Sequence, residues 1–409
     1  MMIRRVLALA VMVLATLLTI GCGTSNEAPK ATEGASITGA TLNEESAGEK
    51  MPFTVEVKEA GEPIGVDLRG VVSRGTLRAQ LRDSEGQVVW EGVLTGTTPV
   101  IVVVRPPRAG KYALGVVWDG AVTASYSLTW RPGTVEVPRV TAVALLGGLG
   151  MIVVAVAFVV YAAVRRLGWG YLGWGALGWV VAVALKFVWA ILFNQVVYQG
   201  LYGVLPKALA DPLFCIYVGS LTGIFEVCVI WLVLRYTRLG KVPWPRALAF
   251  GIGFGAVEAL LLGATSLLNM LIAMIYPSML PTEALEALAQ GNNVLWSLAP
   301  IVERLAVVYV HILANVLMFY AIQKRRARWL WVSSLYMTAL DSVAAFGQFW
   351  GITTLARIWT LEAAMVLFGI VGWLGMRWVA RNYPSPVLAA ELATEAQGTT
   401  EPEHPEQAE

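Results

Sequence analysis

From Phe53 onward, apolar and polar residues alternate with a period of two. Phe53, Val55 and Val57 share one face, as do Leu77, Ala79 and Leu81; Val88, Val89 and Trp90 follow, then Val100–Val104, then Tyr112, Leu114 and Val116, then Tyr126, Leu128 and Trp130. Turn signals stand between these runs, at Asp83-Ser84-Glu85-Gly86, at Pro106-Pro107-Arg108-Ala109-Gly110 and at Asp119-Gly120. Short strands at this spacing predict an all-β sandwich of immunoglobulin-like type over 51–135. No histidine or cysteine lies in it, so a binding or spacer module is expected there. Past residue 138 the period of two disappears and long apolar runs take over, near 140–163, 170–197, 212–236, 246–275, 296–322, 329–350 and 357–379. Each is close to or above the roughly 20 residues that span a bilayer as helix. The fold class expected is therefore a β domain followed by an α-helical bundle of about seven transmembrane helices over 138–380. Residues 22–50, rich in Ser, Thr, Gly and Glu, read as a disordered tether, and the acidic stretch 381–409 as a disordered tail.

Composition agrees with a membrane solvent. The chain of 409 residues is 57% hydrophobic and 14% charged, against about 25% charge in soluble domains. The net charge of +2 is segregated along the chain, and no nucleic-acid partner is expected. Arg4 and Arg5 precede an apolar run that ends at Ile20-Gly21-Cys22, the layout of a secretory signal over 1–21. A small residue before cysteine resembles the lipobox of bacterial lipoproteins, which implies lipidation at Cys22. Cys215 and Cys228 lie in apolar runs, so the outer domain has no disulfide framework. Basic residues cluster at Arg165–Arg166, between Arg235 and Arg246, between Lys324 and Arg328, and at Arg377 and Arg381. By the positive-inside rule these clusters and the C-terminus face the cytoplasm of a bacterial cell membrane, with the β domain outside.

Ionisable residues at mid-membrane cost about 2.5–3.5 kcal/mol on insertion scales and mark functional positions. In the third segment Gly219, Thr222, Gly223 and Glu226 share a helix face; in the fourth, Gly251, Gly255 and Glu258 do. Small residues let helices approach closely, so both glutamates are expected to face other helices. In the fifth segment Arg304, His311 and Asn315 share a face, with Glu303 beside them; in the sixth, Ser334, Thr338 and Asp341 do. Lys186 stands alone in the second and either pairs with a carboxylate or snorkels outward. At 1.5 Å per residue, Glu258 and Asp341 lie about 18 Å in from their inner helix ends, and Glu226 and His311 about 21–22 Å in from their outer ends. Three carboxylates and one imidazole thus reach a common depth.

These elements resemble the YhfC family of intramembrane proteases, related to the CAAX-processing and bacteriocin-immunity membrane proteases. The resemblance covers about 170–375 and rests on Gly223-Ile224-Phe225-Glu226, on the run GIGFGAVEA over Gly251–Ala259, on Glu303-Arg304 followed by His311, and on Asp341. It implies an endopeptidase of membrane-associated substrates, its site drawn from Glu226, Glu258, Glu303, Arg304, His311 and Asp341. Either Glu226 or Glu258 would be the general base and His311 its partner. The sequence departs from the family pattern at four positions. Val227 replaces a second glutamate, Ile230 an arginine, Phe254 a histidine and Met337 another histidine.

One histidine inside a structured part, with carboxylates scattered along the sequence, makes a poor zinc site, so no cofactor is expected. The partners expected are the bilayer and a transmembrane or membrane-associated peptide. Two other classes fit the same residues: a non-catalytic relative that binds membrane proteins through the same cavity, and an ion- or proton-coupled transporter. A transporter would favour an internal repeat, and no convincing one is visible.

Overall fold

The computed structural model describes residues 35–94, 96, 99–133, 138–277, 280 and 282–384. The signal over 1–21, Cys22 and the tail beyond residue 384 lie outside them. The chain forms two units, one of residues 1–144 with 269–292 and one of residues 145–268 with 293–409.

In the first unit eight strands are described: β1 (Ala35–Glu44), β2 (Gly48–Val57), β3 (Ile64–Arg74), β4 (Leu77–Arg82), β5 (Val88–Leu94), β6 (Val100–Val104), β7 (Gly110–Trp118) and β8 (Val122–Pro132). They make two antiparallel four-stranded sheets, ordered β1-β8-β3-β6 and β2-β7-β4-β5. Alternate residues of both sheets build one apolar core around Val55, Val66, Leu68, Leu81, Leu114 and Leu128. In β2, β4, β7 and β8 the apolar faces read from the sequence are the buried ones, because a period-two pattern has only one way to bury its apolar set. In the edge strands β5 and β6 the runs Val88–Trp90 and Val100–Val103 stay exposed or half-buried.

Two strands depart from the expectation. Within the stretch 22–50 expected as a tether, β1 begins at Ala35 and β2 at Gly48. The composition of β1 is polar, but Ile37, Ala40 and Leu42 meet β8 across a bulge, and Leu42 is buried. β3 escapes the alternation reading because Asp67 and Arg69 interrupt it. Both are buried, and Arg69 Nε donates to the two Asp67 carboxylate oxygens at 2.9 Å. Arg69 Nη1 also donates to the Pro277 carbonyl at 2.7 Å. The segment 269–292 is thereby sewn to the sandwich. Its helix α5 (Thr282–Ala289) carries Glu286, which takes a two-pronged contact from Arg131, the Nη2 arm at 2.9 Å. Leu285 of α5 is fully buried against Val140, Ala144 and Ala273.

The second unit is helical. Its long helices are α1 (Leu145–Val164), α2 (Trp169–Val204), α3 (Lys207–Tyr236), α4 (Trp244–Ile275, ending in the first unit), α6 (Val294–Lys324), α7 (Arg328–Trp350) and α8 (Leu355–Asn382). Six, all but α7, are long and apolar enough to cross a membrane. Ser333, Ser334, Thr338, Asp341 and Ser342 make α7 the most polar of the seven. α6 is the most buried spanning helix and forms the centre of the bundle.

The small-residue faces do what their spacing predicts. A Cβ on Gly219 of α3 would stand 2.2 Å from Ser342 Oγ and 2.4 Å from the Thr338 carbonyl of α7. On α4 a Cβ at Gly251 would stand 3.0 Å from Ile312 of α6, and one at Gly255 3.2 Å from His311 and Val308 of α6, a tight but looser approach. Gly219→Val is therefore expected to force α3 and α7 apart and cost about 1–3 kcal/mol. Gly173→Val serves as the control, because a Cβ on Gly173 of α2 meets nothing within 4 Å. Thermal unfolding in nanodiscs should separate the two variants; equal midpoints would remove the close-packing argument.

Candidate active site among the membrane helices

Three residues from three helices converge. Glu226 of α3, Glu258 of α4 and His311 of α6 each offer a ligand-type atom, and these atoms lie within 4.8 Å of one another. Glu226 and His311 are buried, and Glu258 nearly so. His311 Nε2 meets Glu258 Oε2 at 2.5 Å. Arg304, two helical turns before His311, grips the other oxygen, Oε1, and bridges it to Glu303. The sequence spacing places Arg304 and His311 on one face of α6, and Gly255 opposite them lets α4 come close enough for Glu258 to reach both.

Glu226 sits in a π-helical turn, Gly223–Val229, within α3. The extra residue in such a turn re-aims side chains, and π-turns recur at functional sites. The turn packs against α7 through Gly223, where the Ser334 hydroxyl donates to the Gly223 carbonyl at 3.1 Å. Asp341 of α7 reaches the cluster indirectly: Thr222 Oγ1 donates to Asp341 Oδ2. All six residues expected from the sequence thus belong to one polar network, with Glu226, Glu258 and His311 at its centre and Glu303, Arg304 and Asp341 around them.

Sequence reasoning missed two participants, Trp179 and Glu362, and left open the partner of a third, Lys186. Trp179 of α2 donates its indole N–H to Glu258 Oε2 at 3.0 Å. Lys186, two turns further along the same face of α2, pairs with Glu226, stands 3.8 Å from Asp341 and donates to Thr222 Oγ1 at 3.1 Å. The Trp179–Lys186 spacing of seven was a usable signal for one face, but Lys186 alone left its partner open. Glu362 of α8 is buried within electrostatic reach of Glu303 and Arg304, and its Oε2 has no hydrogen-bond partner. It stands beside a strongly apolar stretch and was overlooked.

The four departures from the family pattern are concerted. Val227, Ile230, Phe254 and Met337 are all buried and all belong to one hydrophobic cluster. Phe254 packs on the His311 ring, centroids 5.3 Å apart. The side of the site that the resemblance makes polar is therefore apolar here, filled by side chains that pack on one another.

The carboxylates that look scattered in sequence are brought together by the fold, and this changes the metal argument. The donor set is two carboxylates and one imidazole, the number of protein ligands in catalytic sites that keep an open position. His311 Nδ1 is buried without a hydrogen-bond partner, an orphaned ring nitrogen beside the cluster. Four carboxylates (Glu226, Glu258, Glu303 and Asp341) face two cations (Lys186 and Arg304), leaving two negative charges when His311 and the buried Glu362 are neutral. The residues fit a single divalent cation in ligand type and in charge.

A polytopic membrane protein with a carboxylate–imidazole centre buried among its helices is what this fold and site define. The chain belongs to the YhfC family, described as intramembrane metalloproteases, whose model matches residues 150–365. It is also 27% identical over 192 residues to the uncharacterized membrane protein YhfC of Bacillus subtilis (strain 168), a match that covers 43% of this chain and 71% of that protein.

Proposed function

We propose that the chain hydrolyses peptide bonds of membrane-embedded substrates at the Glu226–Glu258–His311 centre. The observation that carries this reading is their convergence, three proton-handling groups from three helices within 4.8 Å of one another at a buried site. A general base must reach its proton directly or through one water, and this spacing meets that requirement.

Each side chain has a role that follows from its contacts. Both Glu258 oxygens are engaged, one by Arg304 and the other by His311 and Trp179. Glu258 is thus an orienting group: it holds the imidazole in place and balances the charge it takes up. Glu226, anchored by a single ammonium, accepts the proton of the attacking water. His311, within 4.8 Å of it, takes that proton over from Glu226 and delivers it to the leaving nitrogen, which leaves both groups as they began. Arg304, bound to Glu258 and Glu303 together, keeps the orienting carboxylate from rotating. Glu226, Glu258 and His311 are also the residues that would hold a divalent cation, which when bound supplies Lewis acidity and a more acidic water. In the cell, the reading puts the helices in the bacterial cytoplasmic membrane, α7 included, with the basic loops inside and the β unit outside.

The test is cleavage of a fluorescently tagged transmembrane peptide by the full chain in nanodiscs. Wild type is expected to release fragments, and Glu226→Gln to lose about 100-fold or more. Binding of the peptide without cleavage by wild type would make the chain a binder. Proton-coupled uptake into liposomes without cleavage would make it a transporter.

A further inference from the structure

We propose that Lys186 is a resident counter-cation of this site, whose ammonium competes with a divalent cation for Glu226 and limits how tightly the cluster holds one. The inference rests on the reading of Glu226, Glu258 and His311 as the site, and gives Lys186 of α2 a part in it.

α2 is otherwise the least buried of the spanning helices. Its contacts with the cluster come from one face, on which Trp179, the fully buried Ala182 and Lys186 follow at helical spacing. Lys186 has snorkelling length, yet its ammonium turns inward. It meets Glu226, Asp341 and Thr222 together, and the Thr222 hydroxyl passes the contact on to Asp341. The ammonium donates to Glu226 and to Thr222 and lies in the field of Asp341 at 3.8 Å.

Charge balance gives this placement its consequence. Without Lys186 the cluster would carry three uncompensated negative charges in a medium that solvates charge poorly. With it, two remain. A unit positive charge at about 5 Å opposes a dication by well over a factor of ten at the effective dielectric of protein interiors. Lys186 therefore fixes the residual charge at the value one divalent cation neutralises. Arg304 does not compete for Glu226, because its guanidinium is held by Glu258 and Glu303.

The experiment is zinc binding by the full-length protein in nanodiscs, read by competition with a chromophoric chelator, without substrate. The site-specific component is the part lost in His311→Ala. Lys186→Met should bind zinc at least tenfold more tightly than wild type, because one opposing charge is gone. Lys186→Arg should stay within about threefold of wild type. Lys186→Met combined with Asp341→Asn restores the charge balance and should return to wild-type affinity. A lysine that merely braces the helices gives the opposite sign: its loss loosens the cluster and weakens binding. Unchanged or weaker zinc binding by Lys186→Met would overturn the proposal, as would the absence of any His311-dependent zinc component in all of these proteins. If Lys186→Met fails to fold, the comparison of Lys186→Arg/Asp341→Asn with Asp341→Asn carries the test: the two must agree within about threefold, and a larger gap rejects it. Because zinc affinity is read without peptide, its outcome is separate from that of the cleavage assay.

Discussion

Glu258→Gln is expected to lower kcat/KM for a transmembrane peptide by about 10²–10⁴, the range of a positioned acid–base group. Glutamine keeps the length and shape of the side chain and one carbonyl oxygen for the Trp179 indole. It loses the oxygen that faces Arg304 and the negative charge that Arg304 and His311 both meet. An imidazole whose orienting carboxylate is gone charges less readily and turns more freely. The loss should fall on kcat more than on KM, because Glu258 touches other protein groups and not the flanks of a substrate. Single-turnover cleavage at saturating peptide measures this split. A variant that keeps more than a tenth of wild-type kcat would remove the Glu258–His311 pair from the mechanism.

Arg304→Met is expected to be the most destabilising single change in the helical unit. The guanidinium is buried and joins Glu258 to Glu303, so its removal leaves two carboxylates facing each other without a cation. Breaking a buried ion pair from one side costs about 3–5 kcal/mol. Methionine fills the volume of the stem, so the loss reports charge and not a cavity. The double variant Arg304→Met/Glu258→Gln should regain part of that stability, since one of the orphaned charges is removed with its partner. Unfolding by denaturing detergent gives the comparison. If the double variant is less stable than Arg304→Met, the electrostatic account fails and Arg304 acts by packing alone.

The helix faces were legible from the sequence for a plain physical reason. Glycines at Gly219, Gly223, Gly251 and Gly255 permit backbone approach, and carboxylates one turn further along have nowhere to go but into the bundle. The same reasoning gave the common depth of Glu226, Glu258, His311 and Asp341, because rise per residue is fixed in a helix. The apolar alternation of β4–β8 was equally readable. β1 and β3 were not, because the buried Asp67–Arg69 pair and the polar composition of β1 hide strands whose pairing partners lie far along the chain.

The sequence by itself determined the order of the parts, the membrane character of the second half, which faces pack, and six of the residues in the polar network. Only the tertiary structure decided which of those residues meet. It brought Glu226, Glu258 and His311 within 4.8 Å, turning carboxylates that look scattered into one donor set. It recruited Lys186 and Trp179 from a helix whose own pattern marks it as lipid-facing. It also gathered Val227, Ile230, Phe254 and Met337 into a single apolar cluster. Periodicity fixes which side of a helix is polar; which helices stand opposite one another is fixed by packing across the bundle, and that information is carried by no single segment.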